Sequence, residues 1–515
     1  MPAPSPLARR TALLLVAALY APSADAQSDG CAEEGVRIVS GAYEGTYSVA
    51  GQTSVLSGDN TVPLSQGDYT LLIANLAQFP FQVEADGNVL SGNTAAAEGG
   101  ACALTFRTAP VTVDPGAYIG TYYVKGVSDR SGAPDEQSFH LLRGIERYTL
   151  EIAPGVSFEF GVDADGEVQS LNPQAAVGGA KSLKFNTVTI NVVPGDFEGR
   201  YTVRSVRIGF AREASFVVLP GVANYILDLA PGNNFRFDVD SLGNVQSQNA
   251  DAAAGQRDTL AFKTTTMLIE RGGYTGSYSI RNVRTFQASQ NGAAVDTATV
   301  LPGVVGYILD LGIGTGFRFD VDENGNVTSS NPVAARDSSN VLVFQPTQIE
   351  VRPGDYKRGY ALPWVDSRVD SGVRTFMLLP GIENYQFNVT AGVGFRFDVD
   401  PQGRVVSRNT AAAIGDSTTL RLKSVLILIT REWLREPFQV LGESSNTDVL
   451  EIHLVCGVGR YTLTTGPAYP DTRLALTFLL RPNGRPRPAN IVATVQGQEF
   501  STFALKKDGA CQAAP

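Results

Sequence analysis

The stretch Phe235-Arg236-Phe237-Asp238-Val239-Asp240, followed by Gly243-Asn244-Val245, constrains this chain more than any other. It returns as Phe317 to Asp322 with Gly325-Asn326-Val327, and as Phe395 to Asp400 with Gly403-Arg404-Val405. Looser copies run from Phe158 to Val168 and from Phe79 to Val89. Apolar and charged residues alternate, so a strand built from them carries Phe, Phe and Val on one face and Arg, Asp and Asp on the other. The Gly that follows lets the chain double back. Each copy is expected to form a half-buried β-hairpin.

Two more markers share this rhythm. Gly41-Ala42-Tyr43-Glu44-Gly45-Thr46-Tyr47 returns at Gly116 to Tyr122, Gly195 to Tyr201 and Gly272 to Tyr278. A fifth copy, Gly354 to Tyr360, holds one extra residue between Tyr356 and Gly359, which predicts a bulge. In a strand, Tyr43, Gly45, Tyr47 and Val49 share one face, and the bare Gly lets a ring fold over it. The other marker is Leu219-Pro220-Gly221 leading into Tyr225-Ile226-Leu227-Asp228-Leu229, with Gly four residues before Tyr. It recurs at Leu301 and Leu379, at Gly144 with Tyr148, and at Gly457 with Tyr461. The last match makes the C-terminal stretch a diverged sixth copy. The Ala-rich segment after each hairpin, such as Asn249 to Gly255, reads as a loop or a single helical turn.

The expected fold is therefore all-β, with six tandem repeats of about 80 residues. Each is a small antiparallel β-sandwich or barrel-like unit of about six strands, and a six-bladed β-propeller is the alternative. The repeats span 27–113, 114–193, 194–270, 271–352, 353–430 and 431–515, after a signal peptide at 1–26. No Pro- or Ser-rich spacer separates them, which predicts a stiff array. Counting around the Pro231-Gly232 turn places Asp228 opposite Arg236, and Asp310 opposite Arg318, as exposed cross-strand pairs.

The N-terminus carries Arg9-Arg10, an apolar run from Thr11 to Tyr20, and Ala24-Asp25-Ala26 as a cleavage site before Gln27. The run is too short to span a bilayer. Thr11-Ala12-Leu13 fits twin-arginine export poorly, and Cys31 lies too far from the apolar core for lipid attachment. Export of a soluble chain is expected, to the periplasm, the medium or the cell surface of a bacterium. Four cysteines suit an oxidising compartment. Cys31 and Cys102 fall in the first repeat and Cys456 and Cys511 in the last, so the expected pairs staple the terminal units. The net charge of −10, with no basic run, argues against nucleic acid and anionic membrane surfaces.

Candidate chemistry is sparse. Asp320-Val321-Asp322-Glu323-Asn324-Gly325 matches the first half of an EF-hand loop, which makes Asp320, Asp322 and Asn324 a calcium candidate. The match fails at Asn331, where the closing Glu belongs, and a plain hairpin explains the same letters. The chain has only two histidines, His140 and His453, at matching places in the repeat, where they read as strand residues. No nucleophile elbow, Cys/His metal spacing or phosphate loop is present. Tyr123, Trp364 and Trp433 could stack against sugars or peptides, or simply cover Gly and pack between units. No catalytic residue and no cofactor is expected. The leading functional expectation is a non-enzymatic exported repeat protein with a structural or adhesive role, meeting an extracellular protein or glycan surface. A carbohydrate- or protein-binding protein and a secreted hydrolase or lyase are the alternatives.

Overall fold

The computed structural model describes residues 35–513, apart from 75–76, 128–134, 205, 209–212, 231, 284–293, 391–392, 432–437, 441–442, 446–448, 459–460, 466–474, 484, 491–492, 496–497 and 501–502. Every regular element among the described residues is a β-strand. In the first unit these are β1 (Val36–Val39), β2 (Tyr47–Val49), β3 (Asn60–Val62), β4 (Gly67–Ile73), β5 (Ala77–Val83), β6 (Val89–Ser91), β7 (Ala97–Gly100) and β8 (Ala103–Phe106). They make two four-stranded sheets, ordered β3-β1-β8-β7 and β2-β4-β5-β6. All neighbours run antiparallel except β1 and β8, which lie parallel with Ile38 opposite Leu104.

The same two sheets recur in the units that open at Thr108–Asp114, Val188–Val193, Thr265–Glu270 and Thr347–Arg352. Each unit thus has eight core strands rather than six. A propeller blade is one sheet, whereas each unit here has two sheets facing each other, so the architecture is a run of sandwiches. Separate strands close one unit and open the next. Thr259–Phe262 closes the third unit's sheet, and Thr265–Glu270 opens the fourth unit's sheet. The units therefore open six residues before the expected places, at 265 against 271 and at 347 against 353. Between the fifth unit and the diverged sixth, the two strands merge into one, Thr419–Arg431. Its second half pairs antiparallel with Val449–Val455 and with the C-terminal strand Phe503–Ala513.

The alternation does what it predicts. Phe235, Phe237 and Val239 are buried, as are their counterparts at 317, 319 and 321 and at 395, 397 and 399. The Gly-x-Tyr marker is a turn followed by a short strand, so Tyr43 precedes β2 instead of lying in it. Its ring still covers Gly45, where an added Cβ would sit 2.2 Å from the Tyr43 hydroxyl. Both tyrosines of the marker meet one Phe of the facing sheet edge-on, with Tyr43 and Tyr47 at 5.7 and 5.3 Å from Phe106. The same pincer closes on Phe185 and Phe344 in the second and fourth units, and on Phe262 in the third, where Phe197 stands for the first Tyr. In the fifth unit, Tyr356 and Tyr360 keep the usual spacing, because only the Gly between them has moved. The register shift found there lies between Tyr360, opposite Asp370, and Leu362, opposite Asp366. The surplus residues thus belong to the partner strand Asp366–Asp370.

The expected Asp–Arg register is corrected. Asp228 faces Asn234, and Ile226 faces Arg236. Asp310 likewise faces Gly316, and Arg318 faces Ile308. A shift after Asp228 makes the connection tighter than the count around Pro231-Gly232 assumed. The cation that Asp228 meets comes from the opposite side. Arg204, just after the β2 equivalent Thr202–Val203, donates from Nε at 2.9 Å and from Nη2 at 2.5 Å. Arg281 and Asp310 repeat the fork in the fourth unit.

Candidate functional site

The two Asp of each Phe-x-Phe-Asp-Val-Asp copy have separate structural tasks. The β4 equivalents in the second to fifth units bulge near their start, between Val222 and Tyr225 in the third. The bulge turns a backbone N–H toward the neighbouring strand, and the first Asp accepts it. Asn224 N donates to Asp238 at 2.7 Å, Gly306 N to Asp320 at 2.6 Å, and Asn384 N to Asp398 at 2.8 Å. In the first unit Gln82 takes this Asp's place, and β4 runs without a bulge. The second Asp closes the following turn. Asp322 Oδ1 accepts from Asn324 N and Asn326 N, and its Oδ2 accepts from the Asn326 side chain. The Asn326 side-chain amide, then its backbone N–H, hold the Asp322 carboxyl below its usual pKa, and Asn244 does the same for Asp240.

The calcium candidate therefore divides between two tasks. Asp320 serves the bulge, Asp322 serves the turn, and Asn324 contributes a backbone amide. No group of three or more His, Cys, Asp or Glu among the described residues could hold a metal ion. His140 and His453 both sit on β3 equivalents, Gln137–Leu142 and Val449–Val455. Cys456 and Cys511 form a disulfide with Cα atoms 6.3 Å apart, joining the end of Val449–Val455 to the C-terminal strand within the sixth unit. Cys102 is also disulfide-bonded, while Cys31, its expected partner, lies outside the described residues. Tyr123 is half-buried on a β2 equivalent, Trp364 is exposed, and Trp433 lies outside the described residues.

The most regular polar chemistry lies at the joints between units. After each hairpin, an Asn side chain reaches into the next unit and donates to the carbonyl of its left-handed Gly. The bonds are Asn93 to Gly144 (2.7 Å), Asn172 to Gly221 (2.7 Å), Asn249 to Gly303 (2.6 Å), Asn331 to Gly381 (2.8 Å) and Asn409 to Gly457 (2.9 Å). The same Asn accepts, through Oδ1, from the backbone N–H three residues on, as from Ala252 to Asn249 at 3.1 Å. Gly is required opposite for two reasons. Its φ is positive, +67° at Gly303, and an added Cβ would come within 2.8 Å of Asp251 Cβ. Four residues after the Gly, the Tyr hydroxyl returns to the residue two before it. Leu219 N donates to Tyr225 Oη at 2.9 Å, and Tyr225 Oη donates to Leu219 O at 3.1 Å. This clasp recurs at Tyr148, Tyr307, Tyr385 and Tyr461.

A second contact crosses the joints from the other sheet. Thr46 N donates to Gly126 O (2.8 Å), Arg200 N to Asn282 O (2.6 Å) and Ser277 N to Trp364 O (2.6 Å). The accepting residues all have left-handed φ, +74°, +61° and +67°. At the first joint Gly126 packs on Ala74, where an added Cβ would lie 2.6 Å from Ala74 Cα. At the joint of the fourth and fifth units the sizes are exchanged, and the Trp364 ring lies on Gly312. A cleft of ≈ 280 Å³ opens at the joint of the third and fourth, lined by Arg200, Arg204, Asp228 and Asn282. The Asn that carries the lock gives no sign in its own unit, since its partner stands 51 residues away in the first joint. The recurrence of Asn with an Ala pair at the same distance after each hairpin was the available signal.

No family model matches this chain, and neither a curated protein nor a solved structure matches it.

Proposed function

We propose that the chain is an exported, non-enzymatic repeat protein that serves as a stiff spacer or adhesive rod at a bacterial cell surface. The observation that carries this reading is the Asn-to-Gly bond, made at all five joints between successive units. A bond repeated at one place in each unit favours a fixed unit-to-unit geometry, as stacked repeat proteins use. The conspicuous acidic residues support it too, because bulges and turns employ them. The N-terminal pattern Arg9 to Ala26 supports export. The partner in this reading is an extracellular protein or glycan surface, met by several units at once.

Small-angle scattering of the purified chain tests the shape. A rod several times longer than it is wide is expected, and a compact particle would remove the spacer reading. Sequencing the N-terminus of the exported protein should find Gln27 first; a cytosolic chain that keeps Met1 would remove the export part.

A further inference from the structure

Trp364 occupies a costly position. Its φ is +67°, in the left-handed region where Gly126 and Asn282 stand at the other joints. A side chain such as Trp is strained there, and Gly is not. One face of the ring is accounted for. It lies on Gly312, where an added Cβ would sit 3.2 Å from Trp364 Cδ1. The rest is open, for Trp364 is 44% exposed and the adjoining Ile313 is 73% exposed.

The surroundings of that open face are specific. A crevice at its foot is lined by Ile313, Thr315, Pro363 and Gln386. Gln386 is exposed, and its Nε2 donates to Asn388 Oδ1 at 3.0 Å, which fixes the amide. Arg396 stands directly opposite Gln386 across the hairpin. Its Nη1 lies 3.9 Å from where a Cβ on Gly314 would be. A flat aromatic face and an oriented amide thus line one crevice at a single joint, and a guanidinium stands across the hairpin from the amide.

We propose that this joint is a saccharide-binding site, with a pyranose ring stacked on Trp364 and its hydroxyls bonded by Gln386 and Arg396. Sugar C–H groups meet the electron-rich face of an indole favourably, and side-chain amides and guanidinium groups suit vicinal hydroxyls. The site rests on the adhesive reading above and would give the rod one contact point, between its fourth and fifth units.

The test is calorimetric titration of the full chain with soluble oligosaccharides of β-linked glucose, N-acetylglucosamine and glucuronate. Saturable binding to at least one is expected, with a dissociation constant of about 1 mM or tighter. Trp364→Gly keeps the left-handed turn that the first joint makes with Gly126, and it should weaken binding at least about tenfold. Trp364→Phe should retain part of it. Gln386→Ala and Arg396→Ala change exposed strand residues and should each weaken binding several-fold with the far-ultraviolet circular dichroism unchanged. Absence of saturable heat with all three sugars overturns the proposal, as does equal binding by Trp364→Gly. Scattering on the same samples separates the two readings. A rod that binds no sugar removes the site alone, and a compact particle that binds sugar removes the spacer alone.

Discussion

Asn331 illustrates how much one side chain can do in this chain. Its amide nitrogen donates to Gly381 in the next unit, and its oxygen accepts from Ala334 in its own. Asn331→Ala removes both side-chain bonds; Ala334 N keeps its 3.0 Å bond to the Asn331 backbone carbonyl, but the Gly381 carbonyl loses its donor, so we expect a loss of about 1–3 kcal/mol. Asn331→Asp keeps the acceptor and loses the donor, and should cost the joint as much. The long array need not unfold as one unit, so a single melting temperature is a poor readout. Hydrogen exchange is the better measurement. Protection should fall around Gly381 to Tyr385 and stay unchanged at the first joint, around Asn93 and Gly144. A uniform change along the chain would refute the local role.

Between strands, the question is which cation answers Asp228. The structure pairs it with Arg204, just after Thr202–Val203, and places Arg236 opposite Ile226. The ion pair is partly exposed, with side-chain exposures of 36% and 22%, so its worth is modest. A double-mutant cycle on Arg204 and Asp228 should give a coupling of about 0.5–1 kcal/mol, and a cycle on Arg236 and Asp228 should give none. The reverse result would restore the register read from the sequence. That misreading shows what periodicity can resolve. Alternation told which face of Phe235 to Asp240 is buried, and Gly placed the turns, because both are local properties. Register failed because a tight connection after Asp228 leaves no mark in the alternation. The joints stayed hidden because their partners stand about fifty residues apart and are ordinary letters, Asn and Gly. The pairing of first and last strands stayed hidden because alternation reports faces and says nothing of neighbours.

Across the whole molecule, the tyrosines set the alkaline limit. Burial raises the pKa of Tyr43, Tyr118, Tyr148, Tyr225, Tyr274, Tyr307, Tyr356, Tyr385 and Tyr461. For Tyr201 burial raises it to about 12. An unfolded tyrosine ionises near pH 10, at about its model value. The folded state therefore holds these protons more tightly. The stability this brings is complete below pH ~10 and drains away as pH rises through the folded values. Ultraviolet absorbance of tyrosinate should rise little at pH ~10, then climb together with loss of the β signal in circular dichroism. Smooth ionisation near pH ~10 with the fold intact would contradict the packing described.

The side-by-side, parallel placement of opening and closing strands has a mechanical consequence. Tension on the two ends of the array would enter each of the first five units through strands such as Val36–Val39 and leave through strands such as Ala103–Phe106. The load then acts along the length of the pair, in shear, and every rung between the two strands resists at once. A hairpin tugged at its open end gives way rung by rung; these units would hold until the whole ladder slips.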